Sequence, residues 1–303
     1  MGNKDISGKN LEQYTDVFSD IVNALLYYGR KVVREENLYS APTETFYRTN
    51  DGWHQQFQDT CMYEYHNEKV YIQYTIENQA EEDGRMILRK AGYEGAVYRG
   101  QYEGREHFGV VTIVLNWGKR AWSSTADLHE FLSDKDYPDG IKRYIDNQVL
   151  HVFNMYHLSS EIRGRFESDM RIVVDYLAEQ EKYEPTVQEI KHPEALLFML
   201  ESLTGDKRFS KILERMEDEE KGKEGITMCE LLDRYWNDGV SKGMEQGMIQ
   251  GLSQAVLKVL ICRGTVPDRL EERISSEKNI DTLNGWIALA ATTDTVGEFE
   301  ARM

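Results

Sequence analysis

The chain has 303 residues, 40% of them apolar and 29% charged, which suffices for one large core or two modest ones and excludes wholesale disorder. Its 36 Lys and Arg stand against 53 Asp and Glu, a net charge of −17. That sign excludes non-specific coating of nucleic acid but leaves room for a local basic site on an acidic body. The three cysteines, Cys61, Cys229 and Cys262, form no CxxC pair, so no disulfide framework or structural zinc site is readable. The odd count fits a reducing, cytoplasmic setting. No apolar run approaches the roughly 20 residues that span a bilayer, and Met1 to Leu11 lacks the apolar stretch of a secretory signal. A cytoplasmic protein with no membrane partner is expected.

Along the chain, Val17, Ile21, Ala24, Leu25 and Tyr28 fall on one helical stripe, predicting a helix from about Leu11 to Tyr28 that Gly29 stops. A strand is expected over 57–65. Val70 to Ile76 is a clearer one, with Val70, Ile72, Tyr74 and Ile76 alternating against Tyr71, Gln73 and Thr75. Gly109 to Trp117 is nearly continuous apolar sequence and reads as a strand buried on both faces. Val149 to Met155 offers one more. A helix from about Gly84 to Gln101, interrupted by Gly92 and Gly95, lies between the strands at Val70 and Gly109 and suggests a βαβ unit. After about Ser159 strand signals stop, and helical patterns occupy 161–182, 193–203, 206–220 and 227–262, with two or three more to the end. The expected class is α/β: a mixed sheet flanked by helices, then an all-helical C-terminal region. The expected division is 1–205 and 206–303.

Gly239, Gly243, Gly247 and Gly251 recur every fourth residue, which on a helix makes a groove without side chains. Such a groove serves either helix–helix association, here between copies of the chain, or a hinge.

Period-2 geometry sets Gln73, Thr75, Glu77 and Gln79 on one face of their strand. If 57–65 and 70–77 pair as a hairpin across His66 to Lys69, Asp59 and Glu77 reach the same end of the sheet. Two converging carboxylates suit Mg²⁺, or Mn²⁺, which take oxygen ligands and retain waters. Solvated strand-end acids are the other reading. Residues 85–120 carry seven Lys and Arg against three Glu, a net +4 in a chain of −17. Arg85 and Arg89 share a helical face with Tyr93 next in line. They face phosphate, or they pair with Glu81, Glu82 and Asp83 on the surface.

The ordered set of Tyr14-Thr15-Asp16-Val17-Phe18, an Asp before a strand, Glu77-Asn78-Gln79, and Arg89, Tyr93, Tyr98 and Gln101 in the next helix resembles the Rpn (recombination-promoting nuclease/putative transposase) family of the PD-(D/E)XK nuclease superfamily. The glycine-periodic segment and the helical stretch from about Leu252 to Phe299 resemble it too, so the likeness runs nearly the whole chain. The resemblance implies a restriction-endonuclease-like core and Mg²⁺-dependent DNA cleavage. Under it Asp59 and Glu77 are metal ligands, Gln79 orients the attacking water, and Asp16 is an accessory acid. Arg85, Arg89, Tyr93 and Gln101 contact DNA. Gln58 stands before Asp59 where the superfamily has proline, and Gln79 replaces its lysine. The rival reading is a catalytically silent protein of the same fold that binds DNA or assembles oligomers.

Overall fold

The computed structural model describes residues 11–49, 52–102, 104, 106–138, 140–216 and 225–303. The apolar stripe near the N-terminus forms α1 (Thr15–Leu26), which buries Val17, Phe18, Ile21, Val22 and Leu25. It ends where Tyr28 and Gly29 turn to positive φ, 58° and 79°. Gly29 has a steric reason as well, since a Cβ there would lie 3.1 Å from Cβ of Arg165.

Strands follow in the order β1 (Leu38–Ser40), β2 (Glu44–Thr49), β3 (Gly52–Phe57), β4 (Thr60–His66) and β5 (Lys69–Gln79). Next come α2 (Met86–Gln101), β6 (Gly109–Asn116), a helical turn α3 (Leu128–Phe131) and β7 (His151–Asn154). One mixed sheet has the order β1-β4-β5-β6-β7, while β2 and β3 form a separate hairpin. β4 runs antiparallel to both β1 and β5, and β6 runs parallel to both β5 and β7. The β5-α2-β6 segment is thus the expected βαβ unit. α2 is continuous through Gly92 and Gly95, because buried Met86, Ile87 and Tyr93 pack with Val114 and Leu150 and hold it to the sheet.

β5 departs from simple alternation: every residue from Gln73 to Asn78 is buried. The side chains of Tyr74 and Asn78 meet Tyr27 and Glu12 at the N-terminal helical segment, and Glu77 on the opposite face meets Arg89 of α2. Covered on both sides, the strand must bury its polar members; Thr75, Glu77 and Asn78 meet Gln58, Arg89 and Glu12.

The 161–182 pattern resolves into α4 (Ser160–Arg163) and α5 (Met170–Glu179). A short ladder pairs β8 (Glu189–Ile190) with β9 (Ile226–Thr227); these two-residue strands carry too little periodicity to be legible in sequence. α6 (Pro193–Thr204) and α7 (Lys207–Arg215) lie between them, with 217–220 of the 206–220 pattern outside the described residues. The chain divides into compact units Met1–Leu231 and Leu232–Met303. The first therefore runs past the division expected at 205/206. Tyr156 donates to the Leu203 carbonyl, Tyr176 to Asp206, and β9 pairs back on β8, which ties Asp206 and Ile226–Thr227 to the sheet unit.

The remaining elements are α8 (Met228–Ile261), α9 (Asp268–Ser276), α10 (Ile280–Thr292) and α11 (Val296–Arg302). Within the second unit Val256, Leu260, Leu270, Ile274, Ala290, Val296 and Phe299 form a core of their own. The coarse architecture expected from sequence, an α/β sheet region followed by a helical region, is observed. Among the described residues no helix is long and apolar enough to cross a membrane.

Candidate functional site

β4 and β5 are joined by Asn67 and Glu68, whose φ values of 51° and 64° are those of a two-residue primed turn. The ladder runs from Thr60 opposite Ile76 to His66 opposite Lys69, with a register shift between Glu64 and Tyr65. Asp59 directly precedes Thr60 and Glu77 directly follows Ile76, so the two acids leave the ladder at the same end. Cys61, Thr75 and Glu77 line one side of the sheet, and the charges of Asp59 and Glu77 both reach the Cys61 thiol. Cys61 Sγ lies 3.5 Å from Thr75 Oγ1, in keeping with that register. The hairpin brings the two acids to one end of the sheet.

Each acid has a defined holder. Asp59, half-buried ahead of β4, accepts the backbone N–H of Asn78 on Oδ2 at 2.7 Å. Glu77 is completely buried, and Nη2 of Arg89 stands 3.7 Å from its Oε2. Arg89 also donates from Nη1 to Asp83 at 3.4 Å, and from Nε and Nη2 to the Tyr93 hydroxyl at 3.3 and 3.0 Å. Burial works against the guanidinium charge, but Tyr93, Glu77 and Asp83 outweigh it and hold the group above its usual pKa. Burial pushes the Cys61 thiol up to about 12, with the charges of Glu77 and Asp59 adding to the shift.

Behind the acids, on the opposite face of β5, Asn78 gathers a buried polar network. Its Nδ2 donates to Glu12 at 2.8 Å and its Oδ1 accepts from Nε1 of Trp117 at 2.6 Å. Glu12 is completely buried and also accepts from Thr60 Oγ1 at 3.4 Å. The sequence reading passed over Glu12. The only signal for it was an acid beside Leu11 on the edge of an apolar stripe, and hydropathy does not separate that from a surface acid.

The other expected residues are more dispersed. Gln79, half-buried at the end of β5, accepts the Trp117 N–H on its carbonyl at 2.8 Å. Arg85 is exposed at the start of α2, where its backbone N–H bonds Asp83. Asp16 belongs to another cluster: it lies 2.9 Å from Nε2 of His192 and 3.4 Å from Nζ of Lys191, while Tyr14 stacks on His192 at 3.6 Å. Gln101, at the far end of α2, accepts from the backbone N–H of Phe108 at 2.9 Å and donates to its carbonyl at 3.4 Å. Tyr98 likewise accepts the Val110 N–H. These two secure the loop into β6.

Asp59 and Glu77 supply hard oxygen donors from two adjacent chain segments. Among the described residues no group of three or more His, Cys, Asp or Glu is arranged to hold a metal. Two carboxylates do not make a four-ligand structural zinc site. Compared with known proteins, the chain matches no family model, no curated protein and no solved structure.

Proposed function

We propose that the protein is a Mg²⁺-dependent DNA endonuclease with a restriction-endonuclease-like core, of the recombination-promoting nuclease type. The observation that carries this reading is the convergence of Asp59 and Glu77 at one end of the β4–β5 ladder, Asp59 held by the Asn78 N–H, with Arg89 of the following helix reaching Glu77. In this role Asp59, steadied by the Asn78 N–H, and Glu77 are the metal ligands, for Mg²⁺ or alternatively Mn²⁺. A bound cation would lower the pKa of its water and offset charge developing on the phosphate. Arg89, already protonated and tethered by Tyr93 and Asp83, swings its guanidinium between Glu77 and a phosphate oxygen, and exposed Arg85 extends the basic edge. Gln79 orients water through its carboxamide but takes no proton. Asp16 is an accessory acid in this reading only as part of the His192 cluster.

The second reading, a silent DNA-binding or assembly protein, draws on two observations. Arg89 stands where it can neutralise Glu77 without a cation. On α8, Trp236, Val240, Met244 and Met248 are exposed at every fourth residue, beside glycines whose added Cβ would meet no atom within 4 Å. That face would serve a homo-oligomer.

Plasmid cleavage by the full chain with Mg²⁺, with Mn²⁺ and with EDTA decides between the readings. Cleavage that needs the metal and falls more than about a hundredfold in Glu77→Ala supports the nuclease. Folded protein inert under every condition, with a Mg²⁺-independent oligomer seen by light scattering, supports the silent protein.

A further inference from the structure

Beyond the acids, the same sheet face continues into a groove of about 660 Å³ between the sheet and the C-terminal half of α2. Tyr63 and Phe108 line it with rings in edge-to-face contact at 5.4 Å, and Gln101 clamps the Phe108 backbone from both sides. The α2 wall is Ala96, Val97 and Gly100, and a Cβ added at Gly100 would meet nothing within 4 Å. Gln73 also lines the groove. It is only 1% exposed, and its Nε2 has no oxygen acceptor, only the thiol of Cys61 beside it. A buried carboxamide donor without an oxygen partner is costly unless a ligand completes it. Arg99 also lines the groove, together with the exposed acids Glu44 and Glu106.

Small side chains on one wall, aromatic rings on the other and a carboxamide between them suit a flat heteroaromatic ring with hydrogen-bonding edges. Gln73 and Glu77 share a strand face four residues apart, roughly 13 Å along the strand. That spacing is about four steps of a stacked strand. We propose that the groove holds an unpaired nucleobase about four nucleotides along the strand whose phosphate lies at Asp59 and Glu77, so that the substrate is single-stranded at that distance from the scissile bond. A paired base presents neither a free face to Tyr63 nor its Watson–Crick edge to Gln73.

This inference rests on the nuclease reading, but its test does not need cleavage. Fluorescence anisotropy in EDTA would compare a labelled short oligodeoxyadenylate with a blunt duplex of equal length, on the full chain. The single strand is expected to bind at least about tenfold tighter than the duplex. Gly100→Leu, at an exposed groove-lining position where an added Cβ meets no atom within 4 Å, should lower that affinity about tenfold with an unchanged melting temperature, and Tyr63→Ala should match it. Groove-dependent binding by a chain that cleaves nothing with Mg²⁺ or Mn²⁺ sinks the nuclease and keeps the groove. An oligoriboadenylate preferred through the same Gly100-sensitive groove would keep the base site and assign it to RNA. Equal binding of duplex, unchanged binding by Gly100→Leu, or a mononucleotide bound as tightly as the strand would each overturn the inference.

Discussion

Asn78 is the residue on which the site's rigidity depends. Its side chain serves Glu12 and Trp117 at once, and its backbone N–H holds Asp59. Replacing it by Ala leaves a buried carboxylate and a buried indole N–H each short of a partner, so Asn78→Ala should lower stability by about 3 kcal/mol in urea unfolding. The N–H to Asp59 survives that change, so metal-dependent cleavage should fall less steeply than stability. A loss under about 1 kcal/mol would mean that the network is slack. Cys61 gives a prediction in pH. Burial raises its thiol from the usual 9.0 to about 12, so the folded state favours the neutral form. The contribution is full below pH 9 and lost as pH rises toward 12. Melting temperatures followed from pH 8 upward should fall more steeply in the wild type than in Cys61→Ala; parallel curves would remove Cys61 from the account.

Among the elements, the β4–β5 hairpin does most to build the site, and its turn is not optimal. Glu68 sits at φ 64° in a turn whose second position favours glycine. Glu68→Gly, which makes Asn-Gly, should stabilise the protein by about 1 kcal/mol without altering the acids. Chemical denaturation measures it, and destabilisation would indicate a different turn. This hairpin was readable in advance because β5 begins at a short polar turn and alternates over its exposed half. α2 was also readable, although Gly92 and Gly95 suggested a break that packing of Met86, Ile87 and Tyr93 against the sheet overrides. β8 and β9 were not, because two-residue strands have no period.

At the scale of the whole molecule, two compact units each carry apolar cores, and the second depends on few large side chains. Phe299 is completely buried there, so Phe299→Ala should cost about 3–5 kcal/mol and lower a calorimetric transition belonging to residues 232–303. The transition of the sheet unit should stay in place. A uniform shift of all unfolding would show instead that the units unfold as one.

The sequence by itself determined the class of this protein. Apolar periodicity set out the early helix, the buried strands and the helical C-terminal half, since a period of two or of 3.6 is a local property. It also singled out Asp59 and Glu77, because an acid at the end of a buried strand needs a reason. The tertiary structure alone decided which acids met. It buried Glu12 against Asn78, drew Asp16 away to His192, turned Gln101 to the Phe108 loop and carried the first unit through to Leu231. Each of those outcomes depends on partners 7 to 176 residues away along the chain, and no local pattern records which distant group will satisfy a buried polar atom.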